Sequence, residues 1–154
     1  MMRTRTTVEQ QPGLFLQPLV LDQLLAELML RVVGPSAVSG KEFAVTGWLE
    51  SSGPLTPTAL ARVLGMSPTT LSAMIGRLVR KGQVRRAPNP DDGRSYLIEL
   101  TDAGHATNRD CLARFRVELD AVRGHLDGNA EEILAGMRVL ETALRRRLDE
   151  LSAG

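Results

Sequence analysis

Between Thr56 and Gly82 the chain carries two helix-start signals in close succession, Thr56-Pro57 and Ser67-Pro68, closed by Gly65 and Gly82. A hydroxyl residue followed by proline supplies an N-cap oxygen and a pre-set φ, and a glycine supplies the left-handed residue that ends a helix. This punctuation predicts two short helices joined by a tight turn at Gly65 and Met66. In the second, Leu71, Met74, Ile75, Leu78 and Val79 have amphipathic spacing. The opposite face then shows Thr69, Thr70, Ser72, Ala73, Gly76, Arg77 and Arg80. After Gly82 the period changes: Val84, and then Leu97 with Glu99, flank a polar turn running from Pro88 to Gly93, a hairpin signature. Two such helices followed by a hairpin make a winged helix-turn-helix, whose second helix is placed to enter a major groove.

The flanks are also helical. Leu14 to Val33 is apolar over most of a helical wheel and stops at Gly34-Pro35. Ser39 and Glu42 have capping-box spacing and open a helix through Phe43, Val45, Trp48 and Leu49 that ends at Gly53-Pro54. Thr101 caps a long helix from Asp102 that breaks near His125 to Gly128. Asn129 opens a last helix with a seam of Ile133, Met137, Leu140, Leu144, Leu148 and Leu151. These outer helices offer more apolar surface than so small a winged domain covers, which predicts a homodimer. The expected fold class is mainly α with a small β-hairpin wing: a winged helix-turn-helix flanked by N- and C-terminal dimerisation helices. The expected organisation is a flexible tail over 1–13 and a single domain over 14–154, with the winged helix at 39–101 and dimerisation helices at 14–33 and 102–151.

Composition sets limits. Hydrophobic residues make up 43% of the 154 residues but aromatics only 3%, so the core is aliphatic. The net charge of +1 carries no whole-molecule attraction for nucleic acid, so the placement of charge must decide. Between Arg77 and Arg94 the cations Arg77, Arg80, Lys81, Arg85, Arg86 and Arg94 face only Asp91 and Asp92. The single Cys111 excludes an internal disulfide, and its apolar helical setting favours a core role over a redox switch. His105 and His125 lack partners at ligand spacing, so no metal and no cofactor is expected. No nucleophile with a base, paired carboxylates or phosphate loop is evident, which argues against an enzyme. No apolar run reaches the length of a membrane span, no signal-peptide core is present, and a cytoplasmic protein is expected.

The exposed face of the second helix suits DNA. Its N-terminus with the Ser67 and Thr69 hydroxyls can hold phosphate, Thr70, Ser72 and Ala73 permit close approach, and Ala73 can meet a thymine methyl. Arg77 can reach guanine, and Arg80 and Arg86 extend the basic surface. Asp92 is either a turn residue or the partner of a neighbouring arginine that holds the wing.

With Leu60-Ala61-Arg62, Leu64-Gly65-Met66-Ser67-Pro68, Leu78 to Gly82, and Asp92-Gly93-Arg94 followed by Leu100-Thr101, the sequence resembles the MarR family of bacterial regulators over nearly its whole length. Asn89 departs from the pattern, standing where many members have an acidic residue. The resemblance implies a homodimer on a short palindromic operator, with the helix from Ser67 in the major groove and Arg94 carried into the minor groove. It also implies a repressor released by a small-molecule effector. The pocket for that effector is expected between the dimer helices and the DNA-binding lobe, where the scarce aromatics Phe15, Phe43, Trp48 and Phe115 fall. The competing expectation is a winged-helix module that docks another protein without binding an operator.

Overall fold

The computed structural model describes residues 12–34 and 39–152. Six helices and one hairpin follow in the order α1 (Pro12–Val33), α2 (Gly40–Ser52), α3 (Pro57–Leu64), α4 (Pro68–Arg80), β1 (Val84–Pro88), β2 (Tyr96–Leu100), α5 (Asp102–Gly124) and α6 (Ala130–Ser152). The architecture is the expected winged helix-turn-helix between flanking helices. Most of the tail expected over 1–13 lies outside the described residues, but Pro12 and Gly13 are already helical, so α1 starts earlier than the apolar pattern suggested.

The hydroxyl caps form. Ser39, Thr56, Ser67 and Thr101 sit in extended conformation, and their side chains accept from the amides of Glu42, Ala59, Thr70 and Gly104. At Ser39 the box closes in both directions, because Glu42 Oε2 accepts the Ser39 amide at 3.0 Å. Gly65 takes φ 63° and ψ 29°, a left-handed cap that lets the chain turn from α3 into α4 without a Cβ clash.

The core lies in the winged lobe. Val45 and Leu49 of α2, Leu60 of α3, Leu71, Met74, Ile75 and Leu78 of α4, and Val84, Ile98 and Leu100 of the wing form one cluster with Cys111 of α5. In β2 the inward positions are Ile98 and Leu100, one residue out of step with the Leu97 and Glu99 of the sequence signature. The antiparallel register pairs Val84 with Leu100 and Arg86 with Ile98. Leu55, between α2 and α3, exchanges two backbone hydrogen bonds with Ile98, 3.1 and 2.8 Å, an isolated bridge that ties this connection to the edge of the two-stranded wing.

Helix α1 corrects one expectation. Over Gly13–Val33 it is long and apolar enough, by length and composition, to cross a membrane. Asp22, Glu27 and Arg31 break the run in the sequence but not its average. At its C-terminal end Met29 is buried within the fold.

Gly104 marks the closest approach in the chain. A Cβ there would lie 2.0 Å from the Gln83 carbonyl oxygen and 2.9 Å from its carbon. The same oxygen accepts the Thr101 amide at 3.0 Å, and the Thr101 hydroxyl donates to the Gly82 carbonyl at 2.6 Å. The end of α4 is thereby joined to the start of α5 with no room for a side chain. Gly104→Ala should lower stability by about 3 kcal/mol, because backbone and not a flexible side chain must move. Gly47→Ala, in a helix with nothing within 4 Å of the new Cβ, should instead raise it by about 0.5–1 kcal/mol. Urea unfolding of both variants checks this, and matching midpoints for wild type and G104A would contradict the close approach.

Candidate nucleic-acid interface

Helix α4 divides as its spacing requires. Leu71, Met74, Ile75 and Leu78 are buried, while Ser67, Thr69, Thr70, Ser72, Ala73, Arg77 and Arg80 are exposed. At its start the Ser67 hydroxyl oxygen accepts the Thr70 amide at 3.1 Å and lies 2.8 Å from the Thr70 hydroxyl. Both hydroxyls thus sit at the positive end of the helix dipole, where an anionic phosphate is favoured.

The cations of the patch are unequal. Arg77 Nε donates to Glu42 Oε1 at 3.3 Å and Lys81 Nζ to Glu42 Oε2 at 2.8 Å, and the Glu42 side chain is only 4% exposed. Arg85 Nε donates to Glu99 Oε1 at 2.5 Å. Arg86 stacks over the Tyr96 ring, 5.0 Å from its centroid, a cation–π contact that holds the guanidinium on the wing face next to α4. Arg80 and Arg94 have no ion-pair partner among the described residues. Half of the six cations counted from sequence are therefore held by carboxylates, one of which, Glu42, is shared by Arg77 and Lys81, and Arg80, Arg86 and Arg94 are the cations of the patch with no carboxylate partner among the described residues.

Arg77, assigned from its spacing to base reading, is engaged with α2. Sequence reasoning found Glu42 as a capping residue but missed its second role, because its partners are far along the chain. Burial pushes the Glu42 carboxyl up, but the Lys81 hydrogen bond, the Ser39 amide, the Lys81 charge and the Arg77 hydrogen bond outweigh this and hold it below 4.5.

The wing turn is tied by side-chain-to-backbone bonds. Asn89 Oδ1 accepts the Asp91 amide at 3.1 Å while its Nδ2 donates to Ser95 Oγ at 2.7 Å. Asp92 Oδ1 accepts the Arg94 amide at 3.0 Å, and the Ser95 amide donates to the Asp92 carbonyl at 3.0 Å. The Asp92 carboxylate accepts the Arg94 amide and pairs with no guanidinium among the described residues. Asn89 explains its own departure from the resemblance, since a carboxylate could not donate to Ser95.

Of the expected effector residues, Phe43, Trp48 and Phe115 gather where α2 meets α5, and Phe15 does not join them. Phe43 and Phe115 meet with ring centroids 6.5 Å apart, and Phe43 and Trp48 line one shallow depression with Ala44, Gly47 and Ser51. Phe15 stands apart on an exposed stretch of α1. A separate crevice of about 250 Å³ runs between α3, α4 and the wing, lined by Ala61, Met66, Leu71, Ser72, Arg86 and Tyr96 among others. Cys111 is buried, and burial, then the Asp110 charge, push its thiol up, against thiolate reactivity.

Comparison with known proteins agrees with this geometry. The profile of the MarR family matches residues 38–95. The multiple antibiotic resistance protein MarR of Escherichia coli is 36% identical over 90 residues, which cover 58% of this chain and 60% of that protein. Its Salmonella typhimurium counterpart is 32% identical over 62% of this chain and 66% of its own length. The chain thus spans less than two thirds of these relatives' length. Among solved structures, a mutant MarR from Escherichia coli complexed with operator DNA superposes with a TM-score of 0.71 at 28% identity, covering 90% of this chain and 99% of that one.

Glu42 gives a pH test. Its folded-state pKa is depressed, so its contribution is fully present above the unfolded value and is lost as pH falls through the folded one. Glu42→Gln should cost about 2 kcal/mol at pH 7, a value between a lone charged hydrogen bond and a broken buried pair. The gap between wild type and E42Q should shrink as the pH drops below 4.5. Urea titrations at neutral and acid pH check this, and a gap independent of pH would remove the carboxylate from the account.

Proposed function

We propose that the chain is a winged-helix regulator of the MarR family, which it resembles in sequence and fold: a sequence-specific, DNA-binding transcription repressor acting as a homodimer in the cytoplasm. The observation that carries this reading is the shared face of α4 and the wing. A small, hydroxyl-rich helix start is flanked by Arg80, Arg86 and Arg94, which have no carboxylate partner among the described residues. Ser67, Thr69 and Thr70 suit phosphate, Ser72 and Ala73 suit base edges, and Arg94 at the wing tip suits a minor groove. The Escherichia coli MarR that superposes on this fold was solved with operator DNA bound.

Charge and surface both support two copies. A single modest basic patch gives weak binding at physiological salt, so tight recognition calls for two lobes on a palindrome with half-sites about one helical turn apart. Leu14, Leu16, Leu19 and Leu24 of α1 and Ile133, Met137, Leu144 and Leu148 of α6 are all exposed in the single chain. Between these helices lies an apolar cavity of about 780 Å³, lined by Leu14, Leu21, Leu25, Met137, Leu140 and Leu144. A second copy covering these faces accounts for both. Release by a small-molecule effector completes the proposal, with Phe43, Trp48 and Phe115 at the junction of α2 and α5 as the favoured place for its action.

Sequencing of the DNA that the protein enriches from its genome tests the reading. A pseudo-palindromic site is expected, bound with an affinity that falls steeply with salt. Arg94→Ala should weaken binding to that site by about 1–3 kcal/mol, measured by fluorescence anisotropy. Recovery of no enriched DNA would favour a protein-docking module instead.

A further inference from the structure

Helix α6 has no buried residue, yet one of its side chains grips the winged lobe. Arg145 donates from Nη1 to the Arg62 carbonyl and from Nη2 to the Val63 carbonyl, each at 2.7 Å. These oxygens belong to the last turn of α3, where the helix dipole is negative and the Arg62 carbonyl receives only a long capping bond from the Gly65 amide, 3.3 Å. Glu141, one turn earlier on α6, accepts Arg145 Nε at 2.9 Å and lies 2.8 Å from Nη2. The guanidinium is therefore oriented from its own helix and spans two successive carbonyls of another. A planar fork in that position fixes direction as well as distance, which a single ammonium cannot do.

The grip lies immediately before α4. The Gly65 amide donates to the Arg62 carbonyl at 3.3 Å and the Met66 amide to the Ala61 carbonyl at 2.9 Å, and Ser67 then caps α4. Any tilt of the α3 terminus against α6 is thus passed within a few residues to the helix that faces DNA. The geometry points to Arg145 as a positioning residue that locks the α3–α4 unit to the C-terminal arm and thereby sets the half-site spacing the dimer accepts. This rests on the operator-binding reading above. Arg145 lies outside the α4 and wing face, so it acts through the orientation of that face and not through contact with DNA.

Two measurements on the full-length protein test it, comparing wild type, Arg145→Ala and Arg145→Lys. In hydrogen–deuterium exchange without DNA, R145A should exchange several-fold faster over residues 62–68, with the amides of Val45, Leu49 and Cys111 unchanged. R145K should not restore protection, since its ammonium cannot bridge both carbonyls. In binding assays on the enriched operator and on versions with one base pair added or removed between half-sites, wild type should discriminate by at least about ten-fold, the scale of a charge-assisted hydrogen bond. R145A should lose most of that discrimination while keeping its salt dependence. Unchanged exchange over 62–68, full rescue by lysine, or unchanged spacing discrimination in R145A would each overturn the proposal. Wild type binding no DNA while the exchange difference persists would instead overturn the operator reading, and the spacing role with it.

Discussion

Glu42 holds α4 in place. Its carboxylate is charged, almost fully buried and shared among the Ser39 amide, Arg77 and Lys81. Burying a carboxylate is costly unless its oxygens are satisfied, and here Oε1 receives Arg77 while Oε2 receives Lys81 and the Ser39 amide. One end of the network is the start of α2, the other the C-terminal turn of α4. The apolar cluster of Leu71, Met74, Ile75 and Leu78 presses α4 against the lobe but permits sliding and rotation, because dispersion contacts are non-directional. The ionic bonds at Glu42 are directional and fix which residues of α4 point outward.

Fixing α4 in this way also sorts the charges. Glu42 and Glu99 hold Arg77, Lys81 and Arg85, leaving Arg80, Arg86 and Arg94 to define an outward positive face. A protein of net charge +1 can therefore still present local positive charge. The same economy governs apolar surface. The winged lobe closes its own core with Leu60, Leu71, Ile98 and their neighbours almost fully buried, whereas α6 buries nothing. The chain thus seals one lobe and leaves the apolar faces of its long helices uncovered, the division of surface on which the proposed dimer rests.

The features legible in the sequence were those encoded by neighbours. Thr56-Pro57, Ser67-Pro68 and Thr101 announced their helices because a cap and its amide are three residues apart, and the α4 stripe was legible because its period is local. The features that were missed join distant positions: Glu42 with Arg77 and Lys81, Leu55 with Ile98, Gly104 with Gln83, Arg145 with α3. No periodicity marks such pairs. Arg77 was placed on the correct face of its helix, but its engagement by an anion on another helix is a tertiary fact. The slip between Leu97 and Ile98 in β2 has a similar cause, since strand alternation gives two equivalent registers and only the core behind Ile98 chooses between them.

The winged lobe is joined to the outer helices by apolar contacts, with Cys111 in the common core and Phe115 against Phe43, and by directional polar bonds. At the α2–α5 junction the Thr46 hydroxyl donates to Asn108 Oδ1 at 3.2 Å, and Asn108 Nδ2 and His105 Nδ1 donate to Glu50 Oε2 at 3.3 and 2.9 Å. Burial pushes Glu50 up, but the hydrogen bonds from His105 and Asn108 hold its carboxyl below its ordinary value, so it stays charged and keeps accepting. At the other end Arg145 grips the last carbonyls of α3. Thr46 and Asn108 are buried, so their bonds cannot be exchanged for bonds to water without cost. Bonds of this kind have a preferred direction and break discretely, unlike an apolar contact that deforms gradually. Lobe and arm therefore have a defined relative orientation, and an event that breaks Thr46–Asn108 or Arg145–Val63 changes the angle at which α4 is presented. In the proposed dimer, where two copies of α4 must be correctly spaced, that angle is where control would act.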